Sequence, residues 1–415
     1  MQNIHDDAKQ MIKKIIDDNM PGTAVTNALI NHEFCENLYM VAIGKASWTM
    51  AKAACVVLGG KLNKGIVITK HGHSMGDLPN CDIFEAGHPV ADEKTIAATA
   101  KAIELVCGLN ANDEVLFLVS GGGSALFEKP LEGISLEDIT GVTNQLLACG
   151  ADIVEMNMIR KRFSAVKAGR FAKLAAPAKI FCIVLSDVLG DRLDSIASGP
   201  AAADTSTTED ALRVVSKYGI QLSELQIKYL SEETPKEISN VKIEITGSVR
   251  TLCESAAKTA KQLGYKPYVL STTINCEAQE AGRFMAQIAE DTKAGRNSFV
   301  TPCAIIAGGE TVVTLKGKGK GGRNQELALA AVKGISNLED TLIFSLGSDG
   351  TDGPTNAAGG IVCGETLGKL KEADISIDES LANNDSYNAL KAADGLIITG
   401  PTGTNVNDVT VILCG

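Results

Sequence analysis

The chain has 415 residues, of which 45% are hydrophobic and 21% charged, a packed and foldable composition that excludes disordered and fibrous classes. Its length exceeds one ordinary hydrophobic core, so two domains are expected. A net charge of −11 argues against a general nucleic-acid binder, which needs basic stripes to displace counterions.

The N-terminal stretch to Lys14 is charged and lacks the apolar core of a signal peptide. No run of about 18 apolar residues occurs, so a membrane span is not expected. The 11 cysteines are odd in number and scattered without a C-x-x-C pair, which predicts a reducing, cytoplasmic setting.

Short apolar runs then alternate with helical patterns, the signature of a parallel α/β architecture. Strands are predicted at 38–43, 65–70, 82–86, 114–119 and 179–185, and helices at 91–106, 136–148 and 153–163. A further helix follows Lys45, with Trp48, Ala51, Cys55 and Leu58 at helical spacing. The chain becomes more polar between 201 and 240, and a domain boundary is placed near residue 240. The predicted domains are therefore 1–240 and 241–415. The second begins with a strand at 241–245 and a helix at 248–263. Strands at 268–271, 303–307, 311–315 and 342–346 follow, with helices at 277–293 and from 324 to 332. The runs 396–399 and 409–413 are expected to pair as a closing hairpin.

The loops after these strands carry the functional signal. They hold Gly44-Lys45-Ala46, Ser120-Gly121-Gly122-Gly123-Ser124, Ser186-Asp187 through Asp191, Gly308-Gly309-Glu310, and Gly347-Ser348-Asp349-Gly350-Thr351-Asp352. Ligands of open α/β sheets bind beyond the carboxyl ends of strands, and glycine lets backbone amides approach a phosphate. The bland alternative is a set of tight strand-to-helix turns. The Ser120–Ser124 loop suits an anion. It is neither a Walker A loop nor the dinucleotide fingerprint, since Leu126 stands where a third small residue is needed.

The segment Lys316–Arg323 crowds Lys316, Lys318, Lys320 and Arg323 between glycines, just before a helix beginning Asn324-Gln325-Glu326. Interleaved glycines suggest a flexible cationic loop for a triphosphate, against a plain solvated hairpin tip. Asp187, Asp191 and Asp194 form one acidic group and Asp349 with Asp352 another. Either suits Mg²⁺ bridging nucleotide phosphates, or serves local turns. His71, His73 and Cys81 match no zinc spacing.

Taken together, VAIGKAS (41–47), AGHPVAD (86–92), LVSGGGSAL (118–126), LSDVLGDRLDSIASGP (185–200), GGRNQELALA (321–330), SLGSDGTDGPT (345–355) and NNDSYNAL (383–390) resemble the class II glycerate kinases. These motifs run in family order over nearly the whole chain. The resemblance implies a Rossmann-like parallel-sheet N-terminal domain of the DUF4147 type. It also implies a smaller α/β C-terminal domain of the MOFRL type, with a cleft between the two. The implied reaction is ATP-dependent phosphorylation of D-glycerate, usually to 2-phosphoglycerate, with a divalent cation. Some relatives carry the name hydroxypyruvate reductase.

Lys45 and Arg323 fall on the family's key catalytic cations, and Asp187 on another family motif. The expected ligand-binding set is Gly44, Ser120, Gly121, Gly122, Gly123, Ser124, Asp191, Glu310, Asn324, Glu326, Asp349 and Asp352. Asp187 and Asp191 are the expected Mg²⁺ ligands. The expected partners are D-glycerate and ATP, with no nucleic acid and no membrane. A homodimer, and a kinase of another small hydroxy acid, stay open.

Overall fold

The apolar runs of the first half become the strands of one sheet. The computed structural model describes residues 3–186, 190 and 192–415. Strands β1 (Asn37–Ile43), β2 (Leu62–Lys70), β3 (Cys81–Ala86), β4 (Asp113–Val119), β5 (Lys179–Leu185) and β6 (Val241–Gly247) lie in the order β3-β2-β1-β4-β5-β6. β1 runs parallel to β2 and β4, β2 to β3, and β4 to β5. β4 is buried along its whole length, as a parallel strand covered on both faces must be.

Alternate residues serve alternate faces. Val41, Ile43, Val115, Phe117 and Val119 join Ala98, Ala102 and Phe171 in one core. Met40, Ala42, Leu116 and Leu118 join Trp48, Ala51 and Ala54 in the other. Strand order reverses between β1 and β4, because β2 and β3 extend one way and β5 and β6 the other. The crevice beyond the carboxyl ends of β1 and β4 is therefore the topological switch point.

The second sheet is mixed. Its strands β7 (Lys266–Ile274), β8 (Cys303–Gly309), β9 (Thr341–Gly347), β10 (Gly359–Cys363), β11 (Leu396–Ile397) and β12 (Asp408–Cys414) follow the order β11-β10-β9-β12-β8-β7. β12 lies antiparallel between β8 and β9, whereas β7 is parallel to β8. The expected closing hairpin does not form. β11 pairs with β10, and the long apolar run of β12 earns the sheet's centre instead. Nor is 311–315 a strand: it keeps only a bridge between Val312 and Glu277.

Two compact units result, Ala24–Thr246 on one hand and Met1–Thr23 with Gly247–Gly415 on the other. The expected division at residue 240 differs on two points. β6 belongs to the first sheet. The N-terminal helix Ile4–Asp18 belongs to the second unit. That helix is amphipathic and buries Ala8, Met11, Ile12, Ile15 and Ile16. Tyr265 donates to Asp7 Oδ2 at 2.8 Å, and Ser255 to Asp18 Oδ2 at 2.8 Å, which fixes it on the second unit.

Candidate active site

In the first unit, the loops after β1 and β4 meet at the switch point. The Lys45 N–H donates to Gly121 O at 2.9 Å. The Ala46 N–H donates to Ser120 Oγ at 3.1 Å, and that hydroxyl donates onward to Ile43 O at 3.2 Å. Ser120 thus locks the Gly44-Lys45 turn to the glycine loop. Gly122 has φ +84°, and a Cβ there would lie 2.9 Å from the His88 ring and 3.2 Å from Lys45 Cγ. The Lys45 stem and His88 pack against that bare backbone, so any larger residue would displace both. His73 Nδ1 is 3.4 Å from Lys45 O, and His71 Nε2 is 2.9 Å from Asp92 Oδ2. Among the described residues, no hydrogen bond or ion pair engages the Lys45 ammonium.

Behind the glycine loop, Ser124 Oγ is 3.0 Å from Ser198 Oγ, and Lys167 Nζ donates to Ser124 O at 2.8 Å. Lys167 also pairs with Glu128, and both are buried. Asp187 and Asp191, the expected catalytic and metal carboxylates, lie outside the described residues. Asp194 accepts from Thr205 Oγ1 at 3.0 Å and from Arg192 Nη2 at 3.2 Å, a local pairing.

In the second unit, the helix Arg323–Ala331 starts at Gly322 without a cap from its own chain end. Asp352 supplies one from another loop. Its carboxylate accepts from Asn324 N at 3.2 Å, Gln325 N at 2.9 Å and Gln325 Nε2 at 2.9 Å. Burial raises the Asp352 carboxyl against these donors. Asp349 Oδ1 accepts from Thr351 N at 2.9 Å and turns its own loop. Asp349 and Asp352, weighed from the sequence for Mg²⁺ or local turns and expected in the ligand-binding set, thus each make local structural contacts. Among the described residues, no group of three or more His, Cys, Asp or Glu is placed to hold a metal.

Arg323 is held as a fixed fork. Its Nε and Nη2 donate to Asp408 Oδ2 at 2.6 Å and Oδ1 at 3.1 Å, and its Nη1 donates to Glu310 Oε1 at 2.8 Å. This is the bidentate geometry that a guanidinium favours. Burial pushes Asp408 up to about 6 against the pull of Arg323. Burial works to lower Arg323, but Asp408 and Glu310 carry it above the ordinary arginine value. Asp408 is the site residue that sequence reasoning missed. Its one signal is an acid opening an otherwise apolar strand.

Arg323 and Glu310 stand on a cavity of about 830 Å³. One wall is apolar, from Val312, Val313 and Leu315, and another is the backbone of Gly317, Gly319, Gly321 and Gly322. The basic segment is not a flexible loop. The Lys316 and Gly317 amides donate to Asn384 Oδ1 at 2.7 and 3.0 Å, Lys318 N to Asn383 Oδ1 at 3.1 Å, and Lys320 N to Asp385 Oδ1 at 2.9 Å. A Cβ on Gly317 would sit 2.3 Å from Asn383 O, and one on Gly322 would sit 2.3 Å from Asp352 Cγ. The glycines are there for close approach. Glu326 is buried, accepts from Gln279 and from Asn384 Nδ2, and is raised by burial. Asn324 Oδ1 accepts from Ser345 Oγ at 2.7 Å, so Asn324 braces the helix start from inside.

Comparison with known proteins follows the same division. A model described as a domain of unknown function, DUF4147, matches residues 7–231, and the MOFRL family model matches 303–408. The D-glycerate 2-kinase of Thermotoga maritima is 53% identical, with 97% of each chain covered. The glycerate 2-kinase of Pyrococcus horikoshii is 43% identical, over 91% of this chain and 87% of its own. The crystal structure of glycerate kinase from Thermotoga maritima has a TM-score of 0.95 and 52% identity, with 99% of each chain covered. The chain belongs to the glycerate 2-kinase family, with a DUF4147 domain followed by a MOFRL domain.

Proposed function

We propose that this chain is an ATP-dependent D-glycerate 2-kinase. The observation that carries the reading is Arg323, fixed by Asp408 and Glu310 on a glycine-walled cavity of about 830 Å³, within the size range of small-molecule sites. The support from relatives is the name D-glycerate 2-kinase on a protein 53% identical over 97% of the chain.

In this reading the 2-hydroxyl oxygen of glycerate attacks the γ-phosphorus of ATP in line, and ADP leaves. The transition state is loose, so catalysis rests on positioning and charge neutralisation. A guanidinium has five N–H donors. Asp408 and Glu310 engage three of them, and the remainder face phosphoryl oxygens or the glycerate carboxylate. Lys45 is the second cation of the proposal. The backbone of Gly121, Gly122 and Gly123 cradles phosphates next to it. Asp187 would orient the substrate hydroxyl or, with Asp191, would hold Mg²⁺. When bound, Mg²⁺ would neutralise phosphate charge, and such ions usually take only one or two protein carboxylates beside phosphates and waters. No helix among the described residues is long and apolar enough to cross a membrane, and a cytoplasmic site of action is part of the proposal.

The described residues carry no mark of hydroxypyruvate reduction. Leu126, fully buried, occupies the place where a dinucleotide fingerprint needs a small residue. The test is phosphorus NMR of the product formed from ATP, Mg²⁺ and D-glycerate. A 2-phosphoglycerate signal is expected. A 3-phosphoglycerate signal would overturn the regiochemistry, and no ADP above the glycerate-free control would overturn the kinase.

A further inference from the structure

We propose that Arg160 anchors the carboxylate of the acceptor acid, an inference that rests on the kinase reading and deepens it. Arg160 ends the helix Ile153–Arg160 and opens a stretch dense in cations. Its neighbours all have partners. Lys161 pairs with Asp204 at 2.5 Å. Arg162 donates to Glu232 O at 2.9 Å and Ser206 O at 3.1 Å. Lys167 is spent on Ser124 O and Glu128, and Arg170 donates to Lys161 O at 2.8 Å and Ser164 O at 2.7 Å. Among the described residues Arg160 alone of this set has no ion pair or hydrogen bond, and its Nε is buried without a partner. An arginine kept half-buried and unpaired costs free energy that an incoming anion would return.

Its place fits a substrate group. Burial and the positive charge of Arg160 both lower the Lys167 ammonium, against the pull of Glu128. The chain just after Arg160 runs beside the chain that leaves the Ser120–Ser124 loop: Ala165 N donates to Lys129 O at 2.7 Å, and Leu131 N to Phe163 O at 2.9 Å. Strain gathers beside Lys167 and Ser124: Ala168, Ala197 and Ser198 all have positive φ, at 53°, 50° and 61°. Ala168 N donates to Ser198 O at 3.1 Å, and the Ser198 hydroxyl is 3.0 Å from that of Ser124. Non-glycine residues in left-handed conformations concentrate where function over-determines the backbone. Of the two roles open to Arg323 the proposal takes the phosphoryl one, beside Lys45 and the glycine loop, which leaves the acid to its own cation, and a planar guanidinium matches a carboxylate through two parallel hydrogen bonds.

The test compares wild type with Arg160→Met and Arg160→Lys. Loss of a charge-assisted pair is expected to raise the KM for D-glycerate about ten- to hundred-fold, with the KM for ATP unchanged. Arg160→Lys should recover part of the loss. Glycerol shares the hydroxyls and lacks the carboxylate, so the preference for glycerate over glycerol should shrink in Arg160→Met. A second measurement needs no variant: D-glycerate, and not ATP, should shield Arg160 of the wild-type protein from phenylglyoxal, read by peptide mass spectrometry. A folded Arg160→Met protein with the wild-type KM for glycerate, or an Arg160 left unshielded, overturns the proposal while the kinase stands. A wild-type protein that phosphorylates no glycerate overturns both.

Discussion

The two cations assigned to the phosphoryl group are built in opposite ways. Lys45 lies in a turn whose backbone is fixed by Ser120 and Gly121, yet among the described residues its ammonium has no partner. Arg323 is bound on three of its N–H groups by Asp408 and Glu310. A lysine is a compact charge on a flexible stem, and here it is left free to follow an incoming phosphate. An arginine is a rigid fork, and here it is aimed in advance. One half of the proposed chemistry is adaptable and the other is preorganised.

The largest expected effect tests both halves at once. Lys45→Ala and Arg323→Ala should each lower kcat/KM by about 100- to 1000-fold, the scale of removing one preorganised charge-stabilising donor. Circular dichroism should show the fold intact. Near-wild-type turnover in either variant would break the comparison.

Asp408 sharpens it. Asp408→Asn keeps the shape but loses the charge that aims Arg323, and activity should fall about ten- to hundred-fold. With burial holding Asp408 at about 6, wild-type kcat should climb as pH rises through that value and the carboxylate ionises. The Asn variant should lack that limb. The stability effect has the opposite sign. A folded-state value raised above the unfolded one contributes stability that is full below the unfolded pKa and is lost as pH rises through about 6. A pH series of thermal melts of wild type and Asp408→Asn would read it. A kinetic limb surviving in the variant would show that another group is responsible.

Smaller effects probe the frame. In Gly322→Ala the new methyl meets Asp352, which caps the helix carrying Arg323. Stability should drop by about 1–3 kcal/mol in urea unfolding, a cost typical of overpacking. An unchanged midpoint would mean that the close approach is not needed. The smallest effect concerns Lys316, Lys318 and Lys320. Their backbone amides hold the segment on Asn383, Asn384 and Asp385, and the Lys320 ammonium adds one weak contact, 4.3 Å from the centre of the Tyr387 ring. Replacing all three by Ala should leave the melting temperature in place and raise the KM for ATP a few-fold at low salt, less at high salt. A salt-independent KM would remove the lysines from the phosphate site.

Much of the first unit could be read directly from the residues. β1, β4 and β5 are short apolar runs that end in glycine, serine or aspartate, and parallel strands buried on both faces leave that trace. The second unit was harder. The run 311–315 alternates like a strand, yet pairing is decided by neighbours, and Val312 finds only Glu277. The basic glycine segment looked mobile because glycine serves both freedom and close contact. Only the packing of Asn383 to Asp385 against it tells the two apart.

By itself, the sequence determined the class of fold and the loops expected to carry chemistry, and its resemblance to a family pointed to Lys45 and Arg323 as the cations to watch. These are local properties of hydropathy period, turn residues and motif order. The tertiary structure decided the rest. It put residues 4–18 with the second sheet, drew β12 between β8 and β9, and brought Asp408 to Arg323 and Asp352 to a helix start. Those outcomes depend on which buried surfaces and unsatisfied donors meet across long chain separations. A carboxylate's distant partner leaves no periodic mark around it, so such pairings appear only once the chain has folded.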